Sequence, residues 1–334
     1  MTTKSNNKIS ALPAASTAAA GQQSLLTFCK ASADQLRLDI LKVLSHDSYG
    51  VLELCSIFDT KQSGMSHHLK ILANAGLVKT RREGNTIFYR RANRSSNNQL
   101  NKLQQALHRS IDQQPISGEL QHRVDAVQQE RTASSQLFFA ENADLFSQQQ
   151  EQIAAYELYG HNTIDLINRS INNNGIALEV GPGEGAFLAE LSPRFQQVYA
   201  LDNSQKMLDK AVHFVEQNAL ANIEFIHGDT KHSQIKQLNA DCVVINMVLH
   251  HTPSPAEIFY DMAAALKTDG QLFVTDLCSH DQSWARESCG DLWLGFEPED
   301  LTQWAADAGF KTGENIYLAQ RNGFRVQIRQ FIKV

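Results

Sequence analysis

The chain has 334 residues, 42 % hydrophobic and 20 % charged, with 36 Asp+Glu against 30 Lys+Arg for a formal net charge of −6. That length accommodates two domains, and no run approaches the roughly 20 apolar residues of a membrane span. The modest net charge hides a split: up to Ser110, 15 basic residues face 6 acidic ones (+9), whereas the remainder carries 15 against 30 (−15). A basic head suits a polyanion, and an acidic remainder suits a small molecule. Cys29, Cys55, Cys242, Cys278 and Cys289 are odd in number and far apart, without C-x-x-C or Cys/His ligand spacing. They read as ordinary thiols of a reducing cytoplasm, and no metal is expected.

The opening stretch, residues 1–21, is rich in Ser, Ala, Thr and Asn, lacks an apolar signal core, and is expected to be a disordered tail. Residues 22–95 are expected to form a winged helix-turn-helix, mainly α: three helical stretches, then a two-stranded ribbon. Leu36, Leu38, Ile40, Leu41, Val43 and Leu44 supply the first helix, and Val51, Leu52, Leu54, Ile57 and Phe58 the second. The third opens near Lys61 and turns Leu69 and Leu72 inward. Its outward residues Gln62, Ser63, Ser66 and His67 can read base edges, while Lys61 and Lys70 reach phosphates. The ribbon carries Arg81, Arg82, Arg90 and Arg91 on either side of Glu83-Gly84-Asn85, a wing that can follow a DNA backbone. With five or six phosphates neutralised, log affinity should fall with log salt at a slope of roughly −5.

The run Ala33-Asp34-Gln35-Leu36-Arg37-Leu38, then Ser66-His67-His68-Leu69-Lys70-Ile71-Leu72, then Gly76-Leu77-Val78, resembles the ArsR-type repressor family over roughly Leu25 to Arg91. The resemblance implies a homodimer on a double-stranded operator, released by an effector. Arsenic does not fit as that effector. The arsenical type places C-x-C in the second helix, where this chain has Cys55-Ser56-Ile57. One thiolate makes a poor clasp, which also weakens a redox or metal sensor built on Cys55.

Residues 96–150 read as a Gln-rich helical connector, interrupted by Pro115 and Gly118. Leu100, Leu103, Leu107 and Ile111 form a stripe at near-heptad spacing that can serve as a dimer seam or pack on its own domain. Leu120, Val124 and Val127 form another. Phe138, Phe139, Phe146 and Tyr156 are candidates for covering a ligand in the second half.

That second half, 151–334, opens its motifs with Leu178-Glu179-Val180-Gly181-Pro182-Gly183-Glu184-Gly185 behind a short apolar run. Alternate glycines let the backbone pass close under a ligand, and a helix opening at Ala186 would aim free N–H groups at the same space. Asp202, at the tip of the next strand, can take both ribose hydroxyls. Gly181, Gly183 and Ala186 also satisfy the dinucleotide pattern, so on glycines alone NAD and S-adenosylmethionine are at parity. Three further features tip the balance: Glu179 two places before the first glycine, Asp202-Asn203-Ser204 leading into a helix with Met207 and Leu208, and a third strand ending in Gly228-Asp229. Glu179 and Glu184 would repel a pyrophosphate and attract an ammonium or sulfonium.

From about Leu178 to Val334 the chain resembles a class I S-adenosylmethionine-dependent methyltransferase domain. The resemblance implies a Rossmann-like α/β fold with a seven-stranded sheet and a reversed last strand pair. The Asn-Gly hairpin read between Asn315–Leu318 and Phe324–Ile332 fits that last pair independently. It also implies that Glu179, Gly181, Gly183 and Gly185 line the methionine and ribose end, that Asp202 holds the ribose, that Asp229 meets the adenine amino group, and that Asn246 to His251 close the site. Asn246-Met247-Val248-Leu249-His250-His251 differs from the Asn-Pro-Pro-Tyr used on nucleic-acid amines, which favours a small-molecule type. His250 or His251 is a candidate base near the methyl group, and the alternative is a structural histidine. Trp284, Arg286 and Trp293 fall where an acceptor pocket is commonly shaped. A tryptophan there could add about 1 kcal/mol of cation–π contact to a sulfonium. Two functions remain open on these residues: a regulator that binds S-adenosylmethionine or S-adenosylhomocysteine as effector, with methionine or methyl-cycle genes as targets, or an active small-molecule methyltransferase with a DNA-binding head.

Overall fold

A computed structural model describes residues 14–45, 47–83, 86–92, 99–142 and 146–334. They fall into two compact units, the main division lying between Arg123 and Val124. In the first unit, α1 (Ala14–Ser32), α2 (Gln35–Val43), α3 (Val51–Phe58) and α4 (Gln62–Asn74) precede the strands β2 (Val78–Glu83) and β3 (Thr86–Arg91), with β1 (Tyr49–Gly50) inserted before α3. Asp34 caps α2 by accepting from Arg37 N at 3.0 Å, and Glu53 reaches back to Gly50 N at 2.7 Å at the start of α3. These side chains satisfy amides that a helix leaves unpaired in its first turn. Ile40, Leu41, Leu54, Ile57, Met65, Leu69 and Leu72 are each 0 % exposed and form the centre of this unit.

Three features differ from the sequence expectations. The tail expected over 1–21 is helical from Ala14, because Ala18-Ala19-Ala20 and its neighbours are strong helix formers; residues 1–13 lie outside the described ones. The ribbon is a three-stranded sheet of order β1-β3-β2, with Tyr49 opposite Tyr89 and Gly50 opposite Phe88. A two-residue strand is too short for periodicity to reveal. The connector has no separate existence: α5 (Gln99–Asp112) packs on α2 within the first unit, and the division falls inside α6 (Gly118–Asn142).

The rotation of α5 also departs from its apolar stripe. Asn101, Gln104, His108 and Ile111 are buried, while Leu103 is 40 % exposed. Gln104 Nε2 donates to the Ala92 carbonyl, so a hydrogen bond at the end of the sheet, rather than leucine burial, turns that face inward. Arg91 makes a paired contact with Asp112, at 2.7 and 2.8 Å.

In the second unit, α7 (Phe146–Ile153) and α8 (Tyr156–Ser170) precede the strands β4 (Ile176–Val180), β5 (Gln197–Asp202), β6 (Ile223–His227), β7 (Ala240–Asn246) and β8 (Leu266–Leu277). These five run parallel in the order β6-β5-β4-β7-β8. The sheet continues into β10 (Arg325–Lys333), antiparallel to both β8 and the edge strand β9 (Phe310–Ala319). This is the seven-stranded class I methyltransferase topology with its last pair reversed. The turn between β9 and β10 carries Asn322-Gly323, and Asn322 Oδ1 accepts from Phe324 N at 3.1 Å. The helices α9 (Leu188–Leu191), α10 (Gln205–Gln217), α11 (Pro255–Ala265), α12 (Trp284–Cys289) and α13 (Pro298–Asp307) complete the unit. Strands buried on both faces read as apolar runs, and β7 is buried at every residue. Strand order reverses between β4 and β7, which opens a crevice at their carboxyl ends. Among the described residues, no helix is long and apolar enough to cross a membrane.

Leu69→Ala, at the centre of the first unit, should cost that unit about 3 kcal/mol. Chemical denaturation followed by far-ultraviolet circular dichroism measures the loss, while calorimetric ligand binding by the second unit should stay unchanged.

Candidate functional site

A cavity of about 480 Å³ occupies the crevice at the carboxyl ends of β4 to β7. Of the sequence candidates for a cofactor site, Glu179, Gly181, Gly183, Asp202, Asn203, Met207, Gly228, Asp229 and Asn246 line it, and Gly185 does not. Gly181 leaves β4 at φ 67° with its N–H on the Leu201 carbonyl at 2.8 Å, and a Cβ there would lie 2.4 Å from Val248 Cγ2. Both conformation and space therefore demand glycine. Regular helix begins at Leu188 rather than Ala186, since residues 183–187 form consecutive turns, with Gly185 N on Pro182 O and Leu188 N on Gly185 O. Gly185 faces Ala211 and Phe214 instead, serving the packing of the turn on α10.

The electrostatics are one-sided. Among the described residues eight carboxylates line the cavity, including Glu179, Glu184, Asp202 and Asp229, against Lys231 alone among lysines and arginines, and Lys231 is paired with Glu257 at 2.7 Å. Glu179 is 1 % exposed. Burial pushes its carboxyl up to about 8, against the pull of the nearby Asn246 amide. Its Oε2 and both polar atoms of the Asn246 side chain lack a hydrogen-bond partner. Buried polar atoms without partners are costly, and a bound ammonium would meet that need. Asp202 is raised to about 6 by burial, although Ser204 N donates to its Oδ1 at 2.8 Å. Ser204 also caps α10, accepting from Met207 N, which fixes the loop that carries Asp202 and Asn203.

Two of the aromatic candidates for covering a ligand, Phe139 of α6 and Tyr156 of α8, line the cavity, together with Gln128, Thr132 and Ser135 of α6 and Glu157 and Tyr159 of α8, which the sequence did not single out. The Tyr156 ring lies against Gly160, where a Cβ would stand 2.7 Å from its Cζ. Phe138 is not among the lining residues, and the side chain of Phe146 lies outside the described ones.

His251 lines the cavity and His250 does not. His250 Nδ1 is held by Asp276 Oδ1 at 2.8 Å. Burial opposes its charge, but Asp276 and Asp291 outweigh burial and raise it to about 9. Burial and the charge on His250 drive His251 the other way, well below the usual imidazole range. His251 Nδ1 lies 3.3 Å from the Gly290 carbonyl. That neighbour assigns the proton of the neutral ring to Nδ1 and the lone pair to Nε2. Trp284, Arg286 and Trp293, expected to shape an acceptor pocket, do not line this cavity. Trp293 is 3 % exposed, donates Nε1–H to the Thr252 carbonyl at 2.7 Å, and has the Arg131 guanidinium 4.9 Å over its ring, so a protein cation already occupies that face. Trp284 instead packs edge-on against Phe324 and donates to Gln282 at 3.0 Å.

In the first unit, Met65, Leu69 and Leu72 pin α4 inward and leave Lys61, Gln62, Ser63, Ser66, His67 and Lys70 exposed along one side. On the ribbon Arg82 is exposed and Arg81 and Arg90 are half-buried. Arg91, with a side chain 8 % exposed against Asp112, is withdrawn from the wing.

These features define a winged helix-turn-helix head and a domain of the class I methyltransferase fold. Residues 34–80 match the family model "Bacterial regulatory protein, arsR family", and residues 178–274 match "Methyltransferase domain". The chain thus carries a segment similar to the arsR-family regulators ahead of one similar to methyltransferase domains. The head is 45 % identical over 60 residues to the transcriptional activator HlyU of Vibrio cholerae, covering 18 % of this chain and 56 % of that protein. The second half is 25 % identical over 147 residues to a ubiquinone biosynthesis O-methyltransferase of Coxiella burnetii, covering 40 % of this chain and 62 % of the relative. Among solved structures, the N-methyltransferase NodS of Bradyrhizobium japonicum in complex with S-adenosyl-L-homocysteine has a TM-score of 0.45 at 15 % identity, covering 56 % of this chain and 98 % of that one. The chain spans between 19 % and 62 % of the length of the curated relatives it matches.

A ligand with an ammonium group requires Glu179 ionised, and Glu179 near 8 is mostly protonated at pH 6.5. Affinity for S-adenosylmethionine should therefore rise about tenfold from pH 6.5 to 7.5, with proton release on binding, and Glu179→Gln should flatten that slope. Calorimetry in buffers of different ionisation enthalpy measures both. On the head, Lys61→Ala and Lys70→Ala should each lower the salt slope of DNA binding by about 1, and Arg91→Ala should leave it unchanged. Fluorescence anisotropy over a salt series reads this directly.

Proposed function

We propose that the chain is a DNA-binding transcriptional regulator whose methyltransferase-fold domain takes S-adenosylmethionine or S-adenosylhomocysteine as its effector. The observation that carries this reading is the buried Glu179 carboxyl beside an unpartnered Asn246 amide, at the floor of a cavity whose lining carboxylates outnumber its lysines eight to one. Both adenosyl compounds carry an amino group for Glu179 and a ribose for Asp202, with Gly228 and Asp229 flanking the space for the base. The cation on sulfur is an additional reason for the acidic lining to favour the methylated form. When bound, that cofactor supplies an electrophilic methyl group; the protein's residues hold its two ends and exclude water.

DNA recognition is assigned to Gln62, Ser63, Ser66 and His67 for base edges, and to Lys61, Lys70, Arg81, Arg82 and Arg90 for phosphates. A two-fold operator calls for a homodimer. Leu25, Leu26 and Leu103, each between 40 % and 46 % exposed on the head, supply apolar surface for one. Methionine or methyl-cycle genes follow as targets from the nature of the effector.

A second reading, an active small-molecule methyltransferase with a DNA-binding head, rests on His251. Its neutral imidazole at the cavity wall can take a proton from an acceptor as the methyl group arrives. Alignment supplies much of the rate of such a transfer, about 7 to 11 kcal/mol, so a single base suffices.

Operator binding titrated with each adenosyl compound, and with an unrelated nucleotide as control, separates these readings. The regulator reading expects DNA affinity to change about tenfold with one of the two, and the affinity for that compound to change by the same factor on DNA, about 1.4 kcal/mol each way. Operator affinity indifferent to both compounds, together with radiolabelled methyl turnover lost in His251→Ala, would replace it with the enzyme.

A further inference from the structure

The segment that follows α12 brings a third ionisable group against the two adjacent histidines. The His250 and His251 rings stand 4.0 Å apart between centroids. Asp291 Oδ1 lies 3.9 Å from His250 Nε2 and 3.8 Å from His251 Nδ1. All three side chains are buried, and one donor atom from each lies within 4.8 Å of the others. The Asp291 side chain is 0 % exposed, yet neither of its oxygens has a hydrogen-bond partner among the described residues. Its distances to the histidines are too long for hydrogen bonds and leave the carboxylate unsatisfied on the side that faces both rings.

The frame around this group is fixed. The His250 carbonyl accepts from Leu292 N at 2.9 Å and Trp293 N at 3.1 Å, which pins the segment carrying Asp291 onto the histidine turn. Asp276 holds His250 Nδ1 at 2.8 Å and itself accepts from Leu277 N at 2.7 Å. A carboxylate behind one ring nitrogen of a histidine sets the ring so that the other nitrogen can ligate. Here that other nitrogen is the one nearest Asp291.

We propose that His250 Nε2, His251 Nδ1 and Asp291 form a binding site for a divalent transition-metal ion of the zinc type, entered from the cavity that His251 lines. Two imidazoles and one carboxylate suit zinc or cobalt better than magnesium or calcium, which prefer all-oxygen shells. Metal–ligand bonds of about 2.0 to 2.2 Å in tetrahedral geometry put the donors about 3.4 Å apart. The observed separations of 3.8 and 3.9 Å need only a small contraction. Three protein ligands leave a fourth position for water, as in zinc sites that are not closed.

Binding has a stated proton balance. The proton on His250 Nε2 leaves to solvent, and the His251 proton moves from Nδ1 to Nε2 as Nδ1 releases the Gly290 carbonyl. A loaded site therefore has no lone pair on His251 Nε2, so metal occupancy and a general-base role for His251 exclude one another. The site does not depend on adenosyl binding.

The full-length protein, stripped with a chelator and dialysed, is titrated with Co²⁺ and then Zn²⁺. One equivalent of Co²⁺ per chain should give visible d–d absorption, displaced by one equivalent of Zn²⁺ in elemental analysis. Asp291→Asn and His251→Gln should each weaken uptake at least about tenfold with the far-ultraviolet spectrum retained; Cys55→Ser should leave it intact. If one of the first two misfolds, the other carries the test. No absorption, uptake that survives both substitutions, uptake lost with Cys55, or an Asp291→Asn change in Tm that metal does not modulate would each overturn the site in favour of a plain ion pair. Calorimetry with S-adenosylmethionine on the same metal-free protein keeps the outcomes distinct, because its failure strikes the effector reading and leaves this site standing.

Discussion

A carboxyl group held out of water at the end of a parallel strand is the constraint around which the second unit is arranged. Glu179 lies within β4, flanked by β5 and β7, and cannot swing to solvent. Its burial raises its proton affinity, so the carboxyl either keeps its proton or ionises against a cation brought to the strand's end. The chain leaves β4 there through Gly181, whose left-handed backbone and missing Cβ let Val248 close the turn from the β7 side. The acidic lining, the glycine turn and the capped loop after β5 therefore describe one environment, whose charge disfavours a pyrophosphate.

The same unit separates two adjacent histidines by their neighbours alone. His250 faces Asp276 and Asp291 and holds a proton, while His251 faces a backbone carbonyl and the charge of His250 and loses one. Two identical side chains next to each other in sequence thus acquire opposite acid–base character. Asp291, raised to about 6 by burial against the pull of His250, is the member of the group that the polypeptide satisfies least.

In the head, the exposed side of α4 is a by-product of how firmly Met65, Leu69 and Leu72 are buried. Spacing those three residues by four and three fixes the helix rotation, so the short polar residues between them must face outward. On α5 the opposite happens. Gln104, which donates to the Ala92 carbonyl, takes the inside with Asn101 and His108, and the leucines expected to pack are left nearer the surface. That arrangement loses leucine burial on the chain's own core and leaves Leu103 on the surface.

The sequence by itself determined both folds and picked out residues that line the cavity at the ends of β4 to β7, because those depend on local signals: apolar periodicity, glycines where φ turns positive, carboxylates at or beside the ends of the first strands, and an Asn-Gly turn before a reversed strand. Tertiary structure alone decided the rest. Asp291 meets His250 and His251 across some forty residues, Gln128, Thr132 and Tyr159 reach the cavity from helices outside the motifs, and Trp293 is covered by Arg131 from α6. Those contacts join residues far apart in the chain, and their distances and burial depend on how packed elements cross. No spacing along a single strand or helix encodes that crossing.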